Sequence, residues 1–69
     1  MLMHDVYSTS VDSIGYDPAT KEMHVAWKSG KTSVYSDVPE HVATSAVTAW
    51  SPGKYLRENV QSNHPHRYL

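Results

Sequence analysis

Residues 22–37 read EMHVAWKSGKTSVYSD, and this stretch decides the fold. Met23, Val25 and Trp27 alternate with His24, Ala26 and Lys28, the period-two pattern of a strand with one face buried. Residues 31–37 are predicted as the strand that follows it, third in chain order, reached through Lys28-Ser29-Gly30. Gly30 suits the left-handed third position of a three-residue hairpin loop. That loop places Trp27 opposite Lys31, Val25 opposite Ser33 and Met23 opposite Tyr35, so Tyr35 shares a face with Met23 and Val25. A two-residue Ser29-Gly30 turn would put Tyr35 beside His24 on the other face. The three-residue loop is preferred because it gathers the large side chains on one side.

Upstream, Ser10 to Tyr16 carries Val11, Ile14 and Tyr16 and ends at the turn start Asp17-Pro18. It is predicted as the first strand. The spacing of three between Val11 and Ile14 breaks period two and calls for a bulge or a late strand start. Residues 1–9 are read as a lead-in. Downstream, Asp37-Val38-Pro39-Glu40 has the form of a capping box, with proline tolerated in the first turn. Val42, Ala43, Ala46, Val47 and Trp50 then recur at helical spacing, with Trp50 expected to fill the deeper space against the sheet. Ser51-Pro52-Gly53 stops this helix and offers an N-cap and a first residue for a second one, whose apolar edge is Tyr55, Leu56 and Val60. The tail 61–69, QSNHPHRYL, is expected to lack regular structure. The predicted class is α+β: a three-stranded antiparallel meander followed by two short helices packed on one face. It forms a single domain over 1–69, with its core at about 8–60.

Length and composition restrict the function. With 69 residues, folding buries only ~60% of the surface the unfolded chain exposes. Two layers of this size scarcely enclose a deep catalytic cavity. The chain has no cysteine, which excludes a disulfide, a zinc ribbon and a thiol nucleophile. No stretch approaches the ~20 apolar residues of a membrane span, and MLMHDV reaches an acid too early for a signal-peptide core. A cytoplasmic location is therefore expected. The net charge of -1 argues against indiscriminate nucleic-acid binding, but its distribution is uneven. Residues 1–53 hold three Lys and six acids, whereas 54–69 hold Lys54, Arg57 and Arg67 against Glu58 alone.

Ser10, the run Ile14-Gly15-Tyr16-Asp17, Met23-x-Val25-x-Trp27, Ser29-Gly30, Tyr35, Val38-Pro39 and Ser51-x-Gly53-x-Tyr55 follow one another at spacings that resemble the KTSC domain family. The likeness covers roughly residues 8 to 60. The family is named after a module at the C-terminus of some lysyl-tRNA synthetases and also includes stand-alone bacterial and phage proteins. Its biochemical role is not established. The resemblance implies the α+β fold. It brings two functional expectations: an accessory RNA contact, and modulation of a host protein by a small phage or bacterial chain. The family carries a Tyr-x-Tyr pair. Tyr35 matches the second tyrosine, and Ser33 stands where the first would be, so a paired-tyrosine platform is not carried over.

The residues offer few chemical constellations. Trp27 and Tyr35 fall on the predicted buried face and are assigned to the core of a phenylalanine-free protein. His64-Pro65-His66 supplies two imidazoles, fewer than the three or four ligands a tight zinc site needs, so no metal or cofactor is expected. No serine sits in a nucleophile elbow, Asp37 and Glu40 are committed to the cap, and Gly53-Lys54 lacks the rest of a phosphate loop. No catalytic residue is assigned. The basic end is the strongest candidate binding set: Lys54, Arg57, His64, His66, Arg67 and Tyr68 combine cations with flat rings. The leading expectation is a non-catalytic module that binds another protein, with a sheet edge and an open face available to a partner or a second copy. The alternative is an RNA-binding module using the basic C-terminal end.

Overall fold

The computed structural model describes residues 2–69. Five strands form one antiparallel sheet in sequence order: β1 (Met3–Asp5), β2 (Val11–Asp17), β3 (Glu22–Trp27), β4 (Thr32–Tyr35) and β5 (His66–Tyr68). Helix α1 (Glu40–Thr48) and helix α2 (Pro52–Tyr55), which continues into a widened π-turn segment at Leu56–Val60, lie between β4 and β5 in the chain. The α+β class agrees with the sequence. The sheet has five strands rather than three.

The β3–β4 hairpin has the predicted register. Met23 pairs with Tyr35 and Val25 with Ser33. The Trp27 amide donates to the Lys31 carbonyl at 2.8 Å, and the Gly30 amide returns to the Trp27 carbonyl at 2.9 Å. Gly30 has φ 98, a left-handed conformation that glycine adopts without a Cβ penalty. Between β2 and β3 the register shifts between Val11 and Ser13, the bulge that the spacing demanded. It lets Val11 and Ile14, three apart, both be fully buried. Ile14, Met23, Val25 and Tyr35 thus share one face, and Ala43, Ala46, Leu56 and Val60 from the helices complete the core on it.

Three expectations are corrected. The lead-in contains β1, and the tail contains β5. The residues of both strands are exposed, so they carry no apolar alternation to read. Their pairing satisfies backbone groups that β2 and β4 would otherwise leave bare at an edge. Ser36 donates to the Pro65 carbonyl and Leu69 to that of Thr32, each at 2.9 Å, bracketing β5 against β4. Nor does the capping box form. Asp37 takes a left-handed φ of 56 and α1 starts after Pro39 without a side-chain cap. Val38 explains the bend. Its side chain is fully buried, its N–H donates to the Lys21 carbonyl, and its carbonyl accepts the Tyr16 hydroxyl. Two backbone anchors and a core side chain outweigh the local preference for a cap.

The third correction concerns Trp50, which is 101% exposed rather than buried. Ala43 and Ala46 are the buried residues of α1. Ala49 then has extended backbone (φ -63, ψ 145), which takes Trp50 off the helical track. Ser51 and Pro52 occupy the N-cap and first helical positions as expected, although Ser51 makes no side-chain cap bond. The Gln61 amide reaches back five residues to the Leu56 carbonyl at 2.8 Å, and the wider turn keeps Leu56 and Val60 both fully buried.

Ser33 is 2% exposed and accepts the Trp27 indole N–H at 2.8 Å. Ser33→Ala removes the acceptor and is expected to lower unfolding free energy by about 1 kcal/mol, measured by urea denaturation. Gly53 packs so tightly that an added Cβ would lie 2.6 Å from Ser10 Oγ. Gly53→Ala should destabilise by about 1–2 kcal/mol. Ser10→Ala, which removes the colliding oxygen, should relieve most of that loss in a double-mutant cycle.

Tyr16 titrates above its ordinary 10.0, chiefly because burial disfavours the phenolate, with the charges of Glu40 and Asp17 adding to the effect. Above pH 10 the unfolded chain therefore loses this proton first, and stability falls as pH rises toward the higher folded-state value. Urea midpoints at pH 9 and pH 11 should fall further for the wild type than for Tyr16→Phe.

Candidate functional site

The six residues of the basic end do not form one patch. His66 and Tyr68 pair with Tyr35 and Ser33, so they project on the helix-covered side of the sheet at the β5 edge. There the Tyr35 and His66 rings lie 5.4 Å apart, and His66 meets Tyr68 edge-on at 5.4 Å. Arg67 alternates to the opposite face beside Val34 and donates to the Glu22 carboxylate at 3.0 Å. That ion pair is largely exposed and adds little stability, but it neutralises the guanidinium. Lys54 and Arg57 stand on α2 and the π-turn segment, and Lys54 lines a shallow hollow together with Glu58 and Trp50. His64 is half-buried in the turn that follows, its amide donating to the Val60 carbonyl at 2.9 Å. Strand alternation and the intervening helix therefore divide a set that is contiguous in sequence.

A different cluster is built where the chain enters and leaves its helices. Tyr7, in the connection from β1 to β2, and Trp50, in the connection from α1 to α2, are both 101% exposed. They line the same hollow, of about 450 Å³, with Val6, Thr9, Lys28 and Pro52. Val47 and Ala49 extend the apolar surface on the far side of Trp50. The connection carrying Tyr7 is held in place rather than loose. Ser8 Oγ accepts the Ser10 and Val11 amides at 3.2 Å each, and Val6 donates to the Asp12 carbonyl at 3.2 Å.

Beside it lies a second hollow of about 430 Å³ under the β3–β4 hairpin, whose walls include Trp27, Lys28, Lys31 and Tyr68. Lys31 Nζ sits 5.5 Å from the centre of the Tyr68 ring, within cation–π reach. Tyr68 is the one residue of the predicted set that this surface uses. Tyr7, Lys28, Lys31 and Trp50 were not singled out as binding residues from the sequence. The KSGK turn, with a lysine on each side of Ser29-Gly30, was a usable signal for the two lysines. Trp50 carried a misleading one, because its helical spacing from Val47 and Ala46 reads as core. Among the described residues no three His, Asp or Glu side chains converge as metal ligands, and no helix is long and apolar enough to cross a membrane.

Comparison with known proteins places this architecture. The family model of the KTSC domain matches residues 7–64. A protein of Tsukamurella paurometabola is 32% identical over 59 residues, which cover 86% of this chain and 88% of that one. Among solved structures, the crystal structure of the KTSC domain protein YPO2434 from Yersinia pestis superposes with a TM-score of 0.93. It shares 25% sequence identity, and the match covers 99% of this chain and 96% of the other. The family model and the Tsukamurella relative each take in most of the chain, and the solved structure shares its fold from end to end. The chain belongs to the KTSC domain family.

Proposed function

We propose that the protein is a non-catalytic binding module that recognises another protein through the surface around Tyr7 and Trp50. The observation that carries this reading is the complete exposure of both side chains at the walls of one hollow. Large aromatic side chains bury on the order of 150–250 Å² each when covered, so leaving two in water forgoes a large hydrophobic gain. Tryptophan and tyrosine are also the residues that most often dominate protein interfaces, where they sit among apolar neighbours inside a polar rim. Val6, Val47, Ala49 and Pro52 supply such neighbours, and Ser8, Ser51 and Asp5 supply polar groups around them.

The fold supports this role at little structural expense. Neither ring contributes to the core cluster, so the side chains are available without loosening the domain. The RNA reading has less support, because the cations it needs are divided between the two faces of the sheet and the helices, and Arg67 is already paired with Glu22. A nucleic-acid groove ordinarily follows the phosphate backbone with several cations in series.

Trp50→Ala and Tyr7→Ala should leave the melting temperature and circular dichroism nearly unchanged, since both side chains are solvent-exposed. With the protein as bait in cross-linked affinity capture from its own cells, the partner enriched by the wild type should be recovered more than about tenfold less with Trp50→Ala. Equal recovery on both baits, or capture of RNA with no protein, would overturn the reading.

A further inference from the structure

We infer that the segment recognised on the partner is an extended acidic peptide carrying one large apolar residue, laid along a trough from Trp50 to Tyr68. The inference rests on the reading of Tyr7 and Trp50 as a protein-binding surface and names the chemistry of what binds there. The two hollows described above have Thr9 and Lys28 as common walls, so they run into one another along the side of the molecule. One end is apolar and aromatic, at Tyr7, Trp50 and Pro52. The other end is cationic and aromatic, at Lys28, Lys31 and Tyr68.

Charge selects the occupant. The chain as a whole has a net charge of -1, yet the charged residues lining these two hollows are Lys28 and Lys31, with no acid among the lining residues. Both lysines are exposed, and the ion pair among the described residues joins Arg67 and Glu22 on the opposite face. Their backbone is also fixed. The two Trp27–Gly30–Lys31 hydrogen bonds close the turn between them, and the Lys28 amide donates to the Ser10 carbonyl at 2.9 Å. The backbone carrying the pair is therefore held in place, and ordering it on binding costs little backbone entropy. Carboxylates at every second position of an extended strand point to one side and can meet both ammonium groups. An apolar side chain farther along can enter between Tyr7 and Trp50, past Thr9, which lines both hollows.

Nucleic acid fits this surface less well. Two lysines neutralise two phosphates, too few for the strong electrostatic term on which strand binding depends. The apolar end, with Val6 and Pro52 among its walls, matches an aliphatic or aromatic side chain better than a charged backbone.

The test is an unbiased selection. Phage-displayed random dodecapeptides are selected on the immobilised full-length protein, and the enriched peptides are titrated into the isotopically labelled protein by NMR. The expected result is enrichment of peptides with two or more Asp or Glu near a large apolar residue, with shifts at the Lys28 and Lys31 amides and the Trp50 indole N–H. Lys28→Glu with Lys31→Glu should weaken binding about tenfold or more, the paired Gln changes somewhat less, and added salt should weaken it for the wild type. Both lysines are exposed, and an unchanged pattern of core amide signals verifies the fold of the variants.

Failure to enrich peptides, enrichment without excess acid, shifts outside the trough, or unchanged affinity after charge reversal would overturn the inference. So would a single-stranded decauridylate that binds the same amides more tightly than the peptides. Should uncharged peptides be selected and be lost with Trp50→Ala but not with charge reversal, the acidic partner falls while the Tyr7–Trp50 surface stands. Unchanged binding of every selected peptide to Trp50→Ala and Tyr7→Ala would remove that surface as well.

Discussion

The pairing of Met23 with Tyr35 and Val25 with Ser33 is the constraint on which the rest of the molecule depends. In a chain without phenylalanine, Tyr35 is the largest fully buried side chain, and a register slip of one residue would turn it to the solvent side. The three-residue loop closed by Gly30 prevents that slip. With Tyr35, Met23 and Val25 on one face, the bulge at Val11–Ser13 turns both Val11 and Ile14 onto the same side, and the helices have one apolar surface to cover. The same register sets Ser33 where it can take the Trp27 indole N–H, so a buried hydroxyl and a half-buried ring satisfy each other.

The two outer strands depend on this inner sheet without contributing to its core. β1 and β5 are three residues each, and all their side chains are exposed. Their role is to occupy the edges of β2 and β4, which leaves short, polar outer edges that resist pairing with other chains. In closing the β4 edge, β5 also separates His66 and Tyr68 from Arg67, because neighbouring strand residues point to opposite faces. The basic end that is continuous in sequence is divided by the pleat of the strand that contains it.

The way α1 ends has a consequence for function. Ala43 and Ala46 are its buried residues, and the extended Ala49 turns the chain outward before α2. Trp50 is left outside, next to Tyr7 from the connection between β1 and β2. Both segments are anchored by core elements on either side. A 69-residue domain has few large residues to spare, and this one keeps two of its seven aromatic side chains entirely in water. That placement is the main reason to regard the Tyr7–Trp50 surface as functional.

The sequence by itself determined the inner meander, the register of its hairpin, the bulge, the order of sheet and helices, and the KTSC resemblance. Each is written in local signals: apolar alternation, a glycine at a left-handed position, a proline after a serine, a spacing that breaks period two. Only the tertiary structure decided the outer strands, the conformation of Asp37 and the position of Trp50. β1 and β5 form to pair backbone groups on β2 and β4, a demand that leaves no mark on their own side chains. Asp37 adopts its left-handed conformation because Val38 is held by Tyr16 and Lys21, which the β2–β3 turn brings beside the end of β4. Trp50 reads as core by helical spacing and stands in solvent because the backbone turns extended at Ala49 and leaves the helical track before it. The candidate site joins Tyr7, Lys28, Trp50 and Tyr68, four residues spread over most of the chain, and only the folded domain brings them to one side.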